Sequence, residues 1–232
     1  MQQITAGVYT FTGLMAGRSY ALEDSDSMTL IDASIPPAAG RILKQLAAAG
    51  HKPDDVHRIL ITHAHPDHVG GLPALKKATG ADVYASLLER PVIQDGARIT
   101  RSEKAKSGII GALMSMGERP MHVPVDHLIA DGDHLDALGG LQVIATPGHA
   151  PGHMAFWQPE RGIAFVGDTI FHLKGKLSLP FAILTVDMEA DKRSIAKIVA
   201  LEPKVVCFGH GPPLTDNAAA RLRQFAQSVG AI

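Results

Sequence analysis

Four side chains that can bind a metal lie close together in the segment "ITHAHPDHVGG", residues 61–71: His63, His65, Asp67 and His68. An apolar run that begins at Ile59 ends here, and two glycines follow. Imidazole nitrogens and carboxylate oxygens are ligands for zinc, manganese and iron. The alternative is a solvated turn that happens to be rich in histidine. A metal site, unlike such a turn, needs further ligands elsewhere in the chain.

Three later segments supply candidates for those ligands: "ATPGHAPGH" (145–153), "FVGDTIF" (165–171) and "CFGHGPP" (207–213). Each follows an apolar run and places a glycine next to His149, Asp168 or His210. A glycine at the end of a buried strand turns the backbone sharply and leaves the polar side chain at the rim of a sheet. We therefore expect four strand ends to converge on one site.

The number of candidates favours two metal ions, because one tetrahedral ion takes only about four ligands. His63 and His65 are two positions apart, so they lie on one side of an extended segment and can hold one ion. Asp67 and His68 lie where the chain bends into a helix and can reach a second ion. Asp168 can bridge both.

The elements that must position these residues alternate along the chain. Strands are predicted at 4–12, 28–32, 57–63, 81–86, 141–145, 153–158, 162–167 and 204–209, and helices at 36–50, 67–80, 188–201 and 216–228. Hydrophobic residues make up 46% of the 232 residues, which is enough for one large core. We expect a single domain over residues 1–232. Residues 94–122 are too long for an ordinary connection and are interpreted as an inserted, helical segment.

Charge and composition narrow the class of partner. Lys and Arg together number 22 and Asp and Glu 23, without a block of like charge, so neither nucleic acid nor a membrane is expected as a partner. The N-terminus lacks the pattern of a signal peptide, and the single cysteine, Cys207, fits a reducing compartment. We therefore expect a cytoplasmic protein that acts on a small molecule, and a homodimer is compatible with this.

The ordered set of HxHxDH at 63–68, "TPGH" ending at His149, "GD" at Asp168 and "GH" at His210 resembles the metallo-β-lactamase superfamily. The similarity runs over nearly the whole chain. It implies an α/β fold of the αββα sandwich type, with two mixed β-sheets flanked by helices and the metal site at one edge.

The resemblance also implies roles for the seven residues. His63, His65 and His149 would bind the first metal, Asp67, His68 and His210 the second, and Asp168 both. Two divalent ions, zinc foremost with manganese or iron as alternatives, would share a bridging hydroxide that attacks the substrate. Asp67 would be catalytic by orienting this nucleophile.

Departures from known subfamilies narrow the expected reaction. Asp168 stands where the commonest zinc β-lactamases have cysteine, and Phe171 stands where lactonases tend to have tyrosine. The cysteine- and arginine-containing stretch of glyoxalase II is absent after Asp168, and its long C-terminal helical domain does not follow. The sequence therefore predicts a hydrolase of an ester-like bond, a thioester or a lactone. The alternatives are an iron-dependent dioxygenase, a phosphodiesterase and a non-catalytic binding protein.

Other residues near the motifs have plainer interpretations. His153 is expected to pack or hydrogen-bond behind the ligands, and His172 to be exposed near the groove. Cys207 is expected to be a buried apolar residue. For the Met-rich part of 94–122, a wall for the acyl group of a substrate and simple packing on the core remain equally open.

Overall fold

The computed structural model describes residues 1–100, 102 and 120–232. Within these ranges, the N-terminal half forms a seven-stranded sheet in the order β1 to β7. Its strands β1 to β4 form an antiparallel meander, and β4 to β7 are parallel. The strands are β1 Gln2–Thr5, β2 Val8–Thr10, β3 Tyr20–Glu23, β4 Met28–Ile31, β5 Val56–Leu60, β6 Asp82–Ser86 and β7 His127–Ile129.

The C-terminal half contributes a second sheet, which has five strands in the described part of the chain, in the order β14-β11-β10-β9-β8. Only the β11–β14 pair of this sheet is parallel. Its strands are β8 His134–Leu135, β9 Leu141–Ala145, β10 Met154–Gln158, β11 Ile163–Gly167 and β14 Val205–Phe208. A separate hairpin joins β12 Phe171–Leu173 to β13 Lys176–Ser178.

Helices cover the outer faces of both sheets. They are α1 Ala38–Ala48, α2 Pro66–Val69, α3 Leu72–Thr79, α4 Arg90–Gln94, α5 Met188–Ala200 and α6 Ala218–Ser228, with a short 3₁₀ turn at Pro53–Asp55. No helix in the described ranges is long and apolar enough to span a bilayer.

Alternation along the strands explains why the sheets face each other. Leu30 and Ile59 point outward into a cluster with α1 and α3, whereas Leu60 points inward to meet Phe156 and Phe165 of the second sheet. The outer face of that second sheet packs against α5 and α6 in a further cluster. Because successive strand residues face opposite sides, each strand can serve two apolar layers. The predicted αββα sandwich is confirmed.

Several element predictions are refined by the structure. The predicted strand 4–12 is two strands, β1 and β2, joined by a turn at Gly7, whose φ is 65°. The predicted helix 67–80 is two helices, α2 and α3, and it ends at Gly80 in the left-handed conformation, as expected. Strands β3, β7 and β8 and the β12–β13 hairpin are not predicted by the sequence pattern. The proposed helix within 94–122 falls mainly outside the described residues.

Candidate metal centre

The seven candidate ligands follow strands that end at the same edge of the sandwich. His63 and His65 come after β5, and Asp67 and His68 occupy the first turn of α2. His149, Asp168 and His210 follow β9, β11 and β14, respectively. The expected convergence of four strand ends is therefore present.

The ligand atoms fall into three overlapping groups, within each of which they lie no more than 4.8 Å apart. The groups are His63, His65 and His149; Asp67, His68 and His210; and His63, His68 and Asp168. The first two groups reproduce the division between two ions that the resemblance implies. The third group joins them through Asp168.

Asp168 lies at the centre of this arrangement. Its Oδ2 is 3.4 Å from Nε2 of His149 and 3.2 Å from Nε2 of His210, while its Oδ1 is 3.2 Å from Nε2 of His68. One carboxylate thus faces members of both triads, which is the position that a bridging ligand requires.

The backbone of Gly209 closely approaches the side chain of Asp168. A Cβ atom added to Gly209 would lie 1.9 Å from Oδ1 of Asp168 and 2.8 Å from Cε1 of His68. The glycine before His210 is therefore needed so that β14 can end directly against the carboxylate.

Hydrogen bonds behind the ligands fix the orientation of the imidazole rings. Nδ1 of His68 is 2.7 Å from Oδ2 of Asp32, and Nδ1 of His63 is 3.0 Å from Oγ1 of Thr62. Thr62 donates its hydroxyl and its backbone N–H to the same Asp32 carboxylate, at 2.8 and 2.9 Å. With Nδ1 as the donor in both rings, Nε2 carries the lone pair that can bind a cation.

His149 is held by an equivalent chain of hydrogen bonds. Its Nδ1 is 3.2 Å from Oγ1 of Thr185, which in turn donates to the carbonyl oxygen of Phe181 at 3.1 Å. The hydroxyl proton is committed to that carbonyl, so Thr185 accepts from His149. Nε2 of His149 is thus also left for a ligand, and it lies 2.9 Å from Nδ1 of His65.

Two histidines near the motifs, His153 and His172, are not candidate ligands, and the expected environment is confirmed for only one of them. His153 packs behind the site as expected: its Nε2 accepts the backbone N–H of Asp168 at 3.0 Å, and its Nδ1 is 2.8 Å from Oγ1 of Thr146. The expectation that His172 is exposed was wrong, because its Nδ1 bonds to the carbonyl oxygen of Pro212 at 2.7 Å and the residue is buried. The β12–β13 hairpin carries it against the His210 loop. Cys207 is buried, as expected, and burial raises the pKa of its thiol.

Electrostatics separate the histidines into two kinds. Burial lowers the pKa of His63 and of His149 well below the usual range, so both rings are neutral. Burial also opposes protonation of His68, but the neighbouring carboxylates of Asp168 and Asp32 raise its pKa above the usual range. Two neutral rings, His63 and His149, therefore lie beside a third, His68, whose protonated form the two carboxylates stabilise.

Glu89 connects two of the ligand-bearing turns from behind. Its Oε2 accepts the backbone N–H of Ala64 at 2.9 Å, and its Oε1 accepts that of Gly152 at 2.8 Å. Ala64 lies between His63 and His65, and Gly152 lies in the turn after His149. Glu89 is only 5% exposed, so the bonds form away from water. The sequence gives no local signal for this role, since the two partners are distant along the chain.

We expect Glu89→Gln to lower metal affinity by about 10- to 100-fold, the usual cost of losing an orienting group behind a metal ligand. The amide oxygen replaces one acceptor, but the amide N–H₂ faces the second backbone N–H and leaves it unpaired. One unpaired buried donor costs about 1–3 kcal/mol, so the midpoint of thermal unfolding should also fall by about 2–10 °C. Metal release to a competing chelator measures the affinity. Glu160→Gln, at an exposed position, is the matched control, and equal affinities of the two variants would contradict the role of Glu89.

The donor set suits divalent cations. Nε2 of His63, Nε2 of His68 and Oδ1 of Asp168 are buried and have no hydrogen-bond partner among the residues that the structure describes. Buried lone pairs without partners are costly, and several of them aimed at a common space fit bound cations. Imidazole and carboxylate donors in these numbers match the ligands of zinc, manganese or iron.

Comparisons with known proteins agree with this geometry. The sequence profile of the metallo-beta-lactamase superfamily matches residues 12–210. A probable metallo-hydrolase of Bacillus subtilis, YflN, is 28% identical in an alignment 228 residues long, gaps included, that covers 89% of this chain and 84% of that protein. A hydroxyacylglutathione hydrolase of Fuscovulum blasticum is 32% identical over 198 residues, covering 83% of this chain but only 61% of that enzyme.

Solved structures show the same fold. A metallo-beta-lactamase family protein from Thermus thermophilus superposes with a TM-score of 0.73 at 24% identity, covering 99% of this chain and 81% of that one. The profile match spans the whole candidate centre, from the segment before β3 to His210. The chain therefore belongs to the metallo-beta-lactamase superfamily and is an enzyme of this binuclear, metal-dependent hydrolase class.

Proposed function

We propose that this enzyme hydrolyses thioesters, with zinc as the resident metal. The observation that carries the proposal is the buried donor set around Asp168, which faces both ligand triads at 3.2–3.4 Å. The choice of thioester is supported by the relatives named as hydroxyacylglutathione hydrolases. Because the chain spans only 54–61% of those enzymes, the proposal does not extend to their particular thiol.

We assign His63, His65 and His149 to one ion and Asp67, His68 and His210 to the other, with Asp168 shared. This division follows the groups of ligand atoms that the structure brings together. The rings of His63, His68 and His149 are already oriented through Nδ1, so the Nε2 atoms need no rearrangement to bind.

Divalent ions held by these residues would polarise the scissile carbonyl and make water nucleophilic at neutral pH. Asp67 then orients the attacking water by accepting a hydrogen bond from it. Burial opposes ionisation of this carboxyl, but the hydrogen bond from His210 and the charge of His68 lower its pKa to about 2, so it is ionised at neutral pH. Because Asp67 stays ionised at neutral pH, we assign it to orienting the water and not to storing the proton that the water loses.

Phe171 favours a thioester over a lactone. Its ring is buried, and the ring centroid lies 4.7 Å from that of His210. A phenyl ring at this place offers no hydroxyl to assist the opening of a lactone, whereas a thioester expels a thiolate, a better leaving group than an alkoxide, and needs less assistance. The apolar ring also helps to exclude water beside His210.

The test compares an acyl thioester, a lactone and a phosphodiester on protein of measured metal content. Release of thiol from the thioester, with second-order rate constants at least about tenfold above those for the other two, is expected. Oxygen uptake without hydrolysis would replace the proposal by an iron-dependent dioxygenase. Preferred cleavage of the phosphodiester would contradict it as well.

A further inference from the structure

A pocket of about 310 Å³ opens beside the candidate metal centre. Its floor is formed by the 209–211 turn, which includes His210, and its wall by the segment 11–18 between β2 and β3. Arg18 brings a permanent positive charge to this lining, and no acidic residue of the described chain belongs to it. The pocket therefore favours an anion.

The segment that forms the wall is fixed against the metal-binding motif. A Cβ atom on Gly17, whose φ is 59°, would lie 1.8 Å from the carbonyl oxygen of Asp67, so only glycine fits. The next residue, Arg18, donates its backbone N–H to the carbonyl oxygen of Gly209 at 2.8 Å. The position of Arg18 is thus set by both sides of the centre.

The guanidinium of Arg18 lies against strand β2. Its Nη1 donates to Oγ1 of Thr10 at 3.1 Å, and Thr10 pairs across the β1–β2 ladder with Gln2, another residue of the lining. No carboxylate in the described ranges forms an ion pair with Arg18, which is only partly exposed. A guanidinium has five N–H donors in a planar fork, so most of them remain for a ligand.

We propose that Arg18 binds a carboxylate on the leaving thiol of the substrate. This inference rests on the proposed thioester hydrolysis and names the substrate class of the same site. The lining includes His210, which we assign to the second ion, and no residue that we assign to the first ion, so the pocket lies on the side of the second ion. Phe11 and Met15 also belong to the lining, so a short aliphatic chain between the carboxylate and the sulfur has apolar side chains to contact.

The experiment compares two acetyl thioesters that differ in one group, those of 3-mercaptopropionate and of the neutral, isosteric 3-mercaptopropionamide. A charge-assisted, bidentate contact predicts that kcat/KM favours the carboxylate by about 10- to 100-fold. Arg18→Gln should abolish this preference, and Arg18→Lys should keep part of it, because the charge remains without the fork. Arg41→Gln is the matched control, since Arg41 bonds to the carbonyl oxygen of Gly13 in the same segment but does not line the pocket.

A binding measurement separates this inference from the proposed function. The non-hydrolysable thioether analogues of the two substrates should bind the parent protein with the same 10- to 100-fold difference, measured by calorimetry. If the carboxylate analogue binds better only when Arg18 is present, yet no thioester is cleaved, the pocket is confirmed and thioester hydrolysis is wrong. If both thioesters are cleaved equally well by the parent protein, the role of Arg18 is overturned, whether or not its variants fold.

Discussion

Asp168→Asn is expected to reduce turnover by at least about 10³-fold and to lower the metal content from about two ions per chain to one or fewer. The substitution keeps the size of the side chain, which matters because the Gly209 backbone leaves no free space beside Oδ1. It removes the one negative charge that faces both triads. His149 and His210 would then have an amide at 3.2–3.4 Å from Nε2 in place of a shared carboxylate.

The measurements are elemental analysis after purification without chelator, and the rate of thiol release from a thioester. Asp54→Asn, at an exposed position in the 3₁₀ turn and outside the three groups of candidate ligands, is the control and should keep the metal and the rate of the parent. An Asp168→Asn protein with full metal content and unchanged turnover would remove Asp168 from the centre. An unfolded variant is distinguished by circular dichroism, and Asp168→Glu then tests whether a shifted carboxylate keeps one ion.

The candidate ligands could be predicted from the sequence because each follows an apolar strand and a glycine marks the turn. His149, Asp168 and His210 satisfy that rule, and parallel or neighbouring strands bring their ends together. Asp32 obeys part of the same rule, since it directly follows the buried strand β4. The role of Asp32 is not predicted because the sequence alone does not show that β4 lies beside β5. Asp32 also adopts its φ of 58° without being a glycine, so no glycine marks this turn in the sequence.

Glu89 and Thr185 could not have been found in this way. Glu89 reaches Ala64 and Gly152 across 25 and 63 residues of chain, so no local pattern records the contacts. Thr185 lies in an irregular segment before α5 and contacts His149 only through tertiary packing. The strands that were missed, such as β7 and β8, are only three and two residues long, which is too short for alternation to be recognised.

The support behind the ligands also explains how one edge holds so much buried polarity. Asp32 accepts from both Thr62 and His68, so a single carboxylate orients a β5 turn and an α2 ring together. Nδ1 of His63, His68 and His149 is paired on the side away from the centre. Nε2 of His63 and of His68 has no hydrogen-bond partner among the described residues. The cost of these unpaired atoms is offset only when cations bind, so we infer that metal binding and stability are coupled in this protein.

Asp67→Ala is expected to slow turnover by at least about 10²-fold while, at saturating metal, the fold and its thermal midpoint stay close to those of the parent. Asp67 lies in the first turn of α2, and its side chain is 31% exposed, so little packing is lost on truncation. What is lost is an ionised carboxylate whose Oδ2 lies 3.2 Å from Nε2 of His210 at the mouth of the centre. The turnover rate should therefore fall much more than the stability, because the attacking water is no longer oriented.

Because Asp67 is also assigned to the second ion, the assay must separate the two roles. Turnover is measured at saturating added metal, with the bound metal determined on the same samples, so that a weaker ion is restored before rates are compared. Asp67→Asn keeps the shape and part of the hydrogen bonding, and should fall between the parent and Asp67→Ala. If Asp67→Ala at full metal occupancy stays within a factor of about three of the parent, well below the 10²-fold effect of a positioned catalytic group, Asp67 is a ligand and does not orient the water.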